Sequence, residues 1–427
     1  MRRKIVYRKI LIVMLTICVV SILYFAYYKL DESIPNHIHI LINQKELFDF
    51  SAPIEGRLEG NNLDVISVKQ GKIDSDKIKF DFDTPFTVES SELGSYQVNL
   101  KLFGFIQFKK IKIDVINNIE VYPSGMPIGI VIETNGILVL GTSAITSEDG
   151  LNYEPALNIL KSGDYIIAIN HKKIKNKEEF IDYIQQNGEN NVSLEIRRNN
   201  ETMKVTLKPV KAVGGDYKIG TWIRDDTQGI GTLTYIDKDG GFGALGHGIT
   251  DVDTNLLMEI NDGTIYNADI VEIVKGQNGS PGEIVGVIDS NNENKIGTII
   301  NNTNQGIFGK VSSSYSNLQE QDAMPIGLKQ DIEIGKASIL CHVEGEIKEY
   351  EIKIKDVALN NKNLSKGIVL EITDKKLLNA TNGIVQGMSG SPILQNGKVI
   401  GAITHVFIQD STKGYGTFIE NMLKSAE

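Results

Sequence analysis

Near its C-terminal end the chain reads Gly387-Met388-Ser389-Gly390-Ser391-Pro392-Ile393-Leu394, then Asn396-Gly397, then Val399-Ile400-Gly401-Ala402-Ile403. The glycines permit a sharp backbone turn, and Asn396-Gly397 between two apolar runs predicts a hairpin with a two-residue loop. A serine held in such a turn is a candidate nucleophile. The N–H groups of Gly387 and Ser389 would converge on one point, where they can hold the oxyanion formed when a hydroxyl attacks a carbonyl.

Counting outward from the Asn396-Gly397 loop pairs Leu394 with Val399 and Ser389 with Thr404. That register turns Thr404 toward the serine as an orienting hydroxyl and sends His405 to the other face. The base is then sought among the remaining histidines of a total of six. His247 stands between glycines in Gly246-His247-Gly248 and precedes the serine in the chain. His342, beside Cys341, reads as structural. For a third member, Asp374, the earlier Asp251, Asp253 and Asp269, and Thr404 remain alternatives.

The chain has 427 residues, enough for two or three domains. With 41 glycines and only 7% aromatics it favours short strands and tight turns, a mainly β fold with some α. Its two cysteines, Cys18 and Cys341, exclude a disulfide scaffold and a four-thiolate zinc site. Six of the 44 Lys/Arg fall in the first thirty residues, leaving 38 basic against 54 acidic side chains beyond. That surplus of acid disfavours nucleic acid as a ligand.

Arg2, Arg3, Lys4, Arg8 and Lys9 precede an uncharged run from 10 to 28. As a helix this run reaches about 28 Å, enough to cross a bilayer. The basic residues 1–9 are expected in the cytoplasm and the C-terminal body outside. Tyr24, Tyr27 and Tyr28 close the run as an interfacial belt, with no small-residue cleavage pattern. Residues 29–36 read as a flexible tether.

Residues 36–118 read as a small β domain, with turn clusters at Gly60-Asn61-Asn62 and Glu92-Leu93-Gly94-Ser95. His37 and His39 share a strand face there, without the further ligands that a metal reading needs. Residues 119–210 form a different unit, with two strands about Asn135-Gly136 and then Gly163-Asp164-Tyr165-Ile166-Ile167-Ala168-Ile169-Asn170. A helix follows, apolar at Phe180, Ile181 and Ile184. This string resembles PDZ domains of bacterial proteases, which bind a peptide as an added strand. The resemblance places the peptide-binding turn at Gly125-Met126-Pro127-Ile128-Gly129-Ile130. Residues 211–427 form the last unit. Within it Asp251-Val252-Asp253 opens like a calcium loop, but Leu256 replaces the required glycine. No metal and no cofactor are expected.

Taken together, five features resemble the stage IV sporulation protein B peptidases of endospore-forming bacteria. They are the anchor, the PDZ string, Gly229-Ile230-Gly231-Thr232-Leu233-Thr234, Gly243-Ala244-Leu245-Gly246-His247, and the serine turn followed by Gly414-Tyr415-Gly416. The resemblance implies a chymotrypsin-like double β-barrel endopeptidase with Ser389 as nucleophile, His247 as base and Asp374 as acid. It also implies self-cleavage in the N-terminal region and export across the forespore membrane into the intermembrane space. The implied partners are a membrane-bound regulator of the sigma-factor processing complex and peptide ligands of the PDZ domain. The other reading is an inactive PDZ-containing scaffold that binds peptides.

Overall fold

A computed structural model describes residues 2–50, 52–59, 66–69, 72–74, 77–277, 279–313 and 322–426. The turn cluster at Gly60-Asn61-Asn62 lies outside them. Residues Arg2–Ser33 form one helix, α1. From 4 to 33 it is long and apolar enough to cross a membrane, its most apolar 18-residue stretch having a mean hydropathy of 2.6 and no buried residue. The next unit packs a six-stranded and a three-stranded sheet on a core that includes Ile38, Ile40, Phe48, Phe86 and Val98.

Two barrels follow. The first closes through the strands Pro127–Thr142, Ile260–Val274, Lys295–Thr303, Gly306–Val311, Gly241–Ala244 and Thr221–Asp237, the last pairing back on the first. Ile128, Ile130, Ile132, Leu233, Phe242 and Ile265 fill it. The second is a closed barrel of six strands between Gly335 and Phe418, filled by Ile339, Ile352, Leu370, Met388, Ile393 and Ile403. Leu394, Val399, Tyr235 and Phe308 pack between the barrels, together with Ile419 and Met422 of the C-terminal helix Ile419–Ala426.

The PDZ-like unit is an excursion from the first barrel. The strand Pro127–Thr142 has two halves that serve different cores. Ile128, Ile130 and Ile132 belong to the barrel, whereas Ile137 and Val139 belong to a cluster with Ile166, Phe180, Ile184 and Ile223. Its partner Thr221–Asp237 runs back alongside, with a register shift between Glu133 and Leu138 where the two units meet. The helix Lys177–Asn187 is tied to this strand at its start. The Lys177 N–H and ammonium both donate to Asp225, at 2.6 and 2.7 Å. The cores therefore divide the chain near 134 and 226, with barrel strands on both sides of the PDZ-like unit.

The segment after α1 is held rather than free, which corrects the expected flexible tether. Ile34 is fully buried. Lys109 Nζ donates to the carbonyls of Asp31 and Ile34 at 2.8 and 2.6 Å. From the second barrel, Asn360 Nδ2 reaches the carbonyls of Asp31, Glu32 and Ile34, and Asn360 Oδ1 accepts from the Asn36 N–H. These bonds satisfy carbonyls that a helix end otherwise leaves open. Replacing Asn360 with Ala should speed cleavage of residues 31–36 by an added protease at least about tenfold, since several bonds, each worth about 1 kcal/mol, are lost together. Equal cleavage rates in the parent and the variant would show that Asn360 does not hold this segment.

Candidate active site

The serine turn is built by backbone geometry that only glycine accommodates. Gly387 and Gly390 have φ of +97° and +98°. A Cβ on Gly390 would lie 2.1 Å from the Thr232 carbonyl oxygen. The turn is fixed from the first barrel by Thr232. Its N–H donates to the Ser389 carbonyl at 3.0 Å, and its hydroxyl donates to the Gly387 carbonyl at 2.7 Å. Both carbonyls are thereby turned to the barrel. The N–H groups of Gly387 and Ser389 have no hydrogen-bond partner among the described residues. That is the donor pair an oxyanion requires.

Ser389, His247 and His405 line one cleft of about 1360 Å³ between the barrels, with Gln386, Gly387, Ile130, Ser365 and Lys366. Ser389 Oγ donates to the Thr404 carbonyl at 2.8 Å. His247 Nδ1 lies 3.0 Å from the Gly248 carbonyl oxygen. A carbonyl only accepts, so the proton sits on Nδ1 and the Nε2 lone pair is left free. Burial holds the His247 imidazole below its ordinary pKa, with the Gly248 carbonyl pulling the other way. The loop after His247 is clamped by Asn302, whose side chain bonds the N–H and carbonyl of Ile249 and the carbonyl of Met258.

His405 and Thr404 depart from the expected register. Leu394 pairs with Val399, but Ile393 pairs with Gly401, so Ile400 is the extra residue of a bulge. One added residue reverses which face each later side chain takes. His405 therefore enters the cleft, its ring centroid 5.0 Å from that of His247. Burial, then His247 and Lys366, hold its pKa down to about 4. The Thr404 hydroxyl instead donates to the Ser365 carbonyl at 2.6 Å, away from the serine, and only its carbonyl touches Ser389.

Asp374 is also elsewhere. It caps the helix Lys375–Thr381, accepting from the N–H groups of Lys376 and Leu377. An aspartate directly before a helical run is an N-cap signal that the sequence displays. Asp251 and Asp253 bind Arg224, and Asp269 lies apart, in a recess with Met126 and His342. Among the described residues no carboxylate hydrogen-bonds to His247 or His405. The Gly248 carbonyl occupies the orienting position.

The expected peptide-binding turn is a wall of the first barrel. Ile128 and Ile130 are core residues, and a Cβ on Gly129 would strike Ile288 at 2.6 Å. Gly125 and Met126 likewise pack inward, Gly125 against Leu340. An open groove of about 580 Å³ lies instead between the helix Lys177–Asn187 and residues 217–223, lined by Phe180, Ile181, Ile184, Tyr217, Ile219 and Trp222. Residues 221–224 pair on one side only, with 138–142, which leaves the edge facing the helix open for an added strand.

Thr232 was legible only as part of a motif, because its partner Gly387 is 155 residues away in the chain. Replacing Thr232 with Val should lower kcat about tenfold with little change in KM, by loosening the oxyanion pair. Thr232→Ser should keep most of the rate. Steady-state kinetics that show equal losses in both variants would remove the hydroxyl from this role.

Residues 215–423 match the family described as SpoIVB peptidase S55. No match was found among curated proteins. The PDZ domain of the SdrC-like protein of Listeria monocytogenes is 24% identical, over 21% of this chain and 87% of that one, with a TM-score of 0.17. The active form of the Rv3671c protease of M. tuberculosis is 12% identical, over 47% of this chain and 74% of that one, with a TM-score of 0.27. The match spans just under half of the chain, and over residues 215–423 it supports a serine endopeptidase of the SpoIVB peptidase S55 type.

Proposed function

We propose that Ser389 is the nucleophile and His247 the general base of a membrane-anchored endopeptidase that also processes its own N-terminal region. Its further target is a membrane-bound inhibitor of sigma-factor processing, met in the space between forespore and mother cell during sporulation. The observation that carries the catalytic reading is a serine turn with two unpartnered N–H groups, in one cleft with an imidazole whose Nε2 is free.

The chemistry follows from those atoms. A substrate carbonyl oxygen enters between the N–H groups of Gly387 and Ser389. Ser389 Oγ leaves the Thr404 carbonyl, gives its proton to His247 Nε2 and bonds to the substrate carbon. The oxyanion is held by the two N–H groups until the C–N bond breaks, and His247 returns the proton to the leaving amine. Water then attacks the acyl-enzyme with His247 again as base, which frees the acid product and restores Ser389. The Gly248 carbonyl steadies the imidazolium formed in each half. The groove beside the helix Lys177–Asn187 takes an extended segment of this chain or of the target. In this reading α1 spans the membrane with its basic end in the cytoplasm, and processing releases the body.

Ser389→Ala should abolish proteolysis, by roughly 10⁶-fold, and His247→Ala should cost at least about 10⁴-fold. Turnover of a sensitive peptide at the parent rate by either variant would remove that residue from the chemistry. Parent and Ser389→Ala chains expressed side by side should differ at their N-termini, only the parent giving shorter forms that lack α1. Equal trimming would assign the processing to another protease.

The pH profile provides a further check. The base must be neutral, and burial destabilises the imidazolium. The acid limb of kcat/KM should therefore fall below the ordinary histidine pKa of about 6.5. A limb above that value would contradict a buried His247 as base.

A further inference from the structure

We propose that His37, His39 and Asp114 form a divalent metal site, suited to zinc, which Glu420 of the C-terminal helix supports as the outer partner of His39. His37 and His39 are alternate residues of the strand His37–Leu41, so both project from one face. This strand pairs in parallel with Ile106–Ile116, where Asp114 stands opposite His39. The two imidazole rings are 4.4 Å apart between centroids. One ligand atom from each of His37, His39 and Asp114 lies within 4.8 Å of the others.

An outer partner of His39 comes from the far end of the chain. Glu420 Oε1 contacts His39 Nδ1, while Glu420 Oε2 accepts from the Lys329 N–H at 2.7 Å. That outer bond fixes the carboxylate, as outer partners do for metal ligands. All four side chains are largely shielded, with exposures from 5 to 29%.

Two details point to a missing ligand. Asp114 Oδ1 is buried and makes no hydrogen bond, although the Ser95 hydroxyl lies near. His37 Nε2 and Asp114 Oδ2 close to 2.5 Å. Tetrahedral zinc at about 2.0–2.1 Å from its ligands separates them by roughly 3.4 Å, a spacing between this contact and the 4.8 Å limit of the group. Two imidazoles and a carboxylate are donors that zinc accepts.

One neighbour competes for the site. Lys112 Nζ sits 2.8 Å from Asp114 Oδ2, on a side chain that is half exposed and free to swing away. The site lies where the first strand already rests on the C-terminal unit. Gln330 Nε2 donates to the His39 carbonyl at 2.6 Å, and Leu41 packs with Ile419 and Met422. Metal binding therefore tightens the seat of the unit that carries α1.

The test uses the full chain in detergent, stripped with a chelator and titrated with Zn²⁺ against a chromophoric competitor, with Co²⁺ reporting geometry. The expected result is one ion per chain, tetrahedral Co²⁺ absorption and a raised Tm. His39→Ala, Asp114→Asn and Glu420→Gln should each weaken binding at least about tenfold and remove the Tm shift. Lys112→Gln should tighten binding, an effect that a purely structural ion-pair cluster would not produce. Absence of stoichiometric binding, or binding unchanged by Asp114→Asn and Glu420→Gln in chains that circular dichroism shows to be folded, overturns the proposal. Binding lost instead on His247→Ala would place the ion in the cleft and equally overturn it.

Discussion

The antiparallel ladder between Pro127–Thr142 and Thr221–Asp237 is the constraint on which the rest of the molecule depends. Its inner half closes the first barrel, and its outer half is the base of the PDZ-like unit. Thr232, on the inner half, pins the serine turn. Residues 221–223, on the outer half, form the open edge of the peptide groove. Groove and cleft are therefore built on one continuous strand, with Thr232 ten positions after Trp222. At about 3.4 Å per residue that is roughly 34 Å of rigid connection. A peptide strand added at the groove would extend a sheet that the active site already uses.

The active site itself is an arrangement of backbone more than of side chains. The two oxyanion donors are peptide N–H groups, the serine rests on a peptide carbonyl, and the histidine is oriented by a peptide carbonyl. Such groups are placed by the fold, through glycines at positive φ and through threonine hydroxyls that turn particular carbonyls aside. Burial then supplies the rest of the tuning, because a low dielectric disfavours the charged form of the His247 imidazole.

The loop containing Asn360 connects two regions of the chain that are remote in sequence. Asn360 holds the end of α1, and a few residues later Lys362, Asn363, Leu364 and Ser365 line the cleft. Ser365 accepts the Thr404 hydroxyl, and Thr404 accepts the serine. The membrane-proximal segment is thus packed against the same loop that walls the active site.

Local sequence was sufficient for features whose cause is local. A long uncharged run after clustered cations makes α1, and a glycine-framed serine before a hairpin makes the sharp turn that carries Ser389. A helix of period 3.6 with buried Phe180 and Ile184 makes one wall of the groove. Glycine-bracketed His247 and Ser389 were legible as candidates for the same reason. Tertiary structure alone decided what depends on register and on distant partners. A single bulge at Ile400 exchanged the places of Thr404 and His405, because strand side chains alternate and one extra residue reverses every later face. Asp374 went to a helix cap because two free N–H groups lay beside it. The Gly125–Ile130 stretch became barrel wall because Ile128 and Ile130 pack into the core of the first barrel. Contacts such as Thr232 to Gly387 join points 155 residues apart, and no pattern within a short window encodes them.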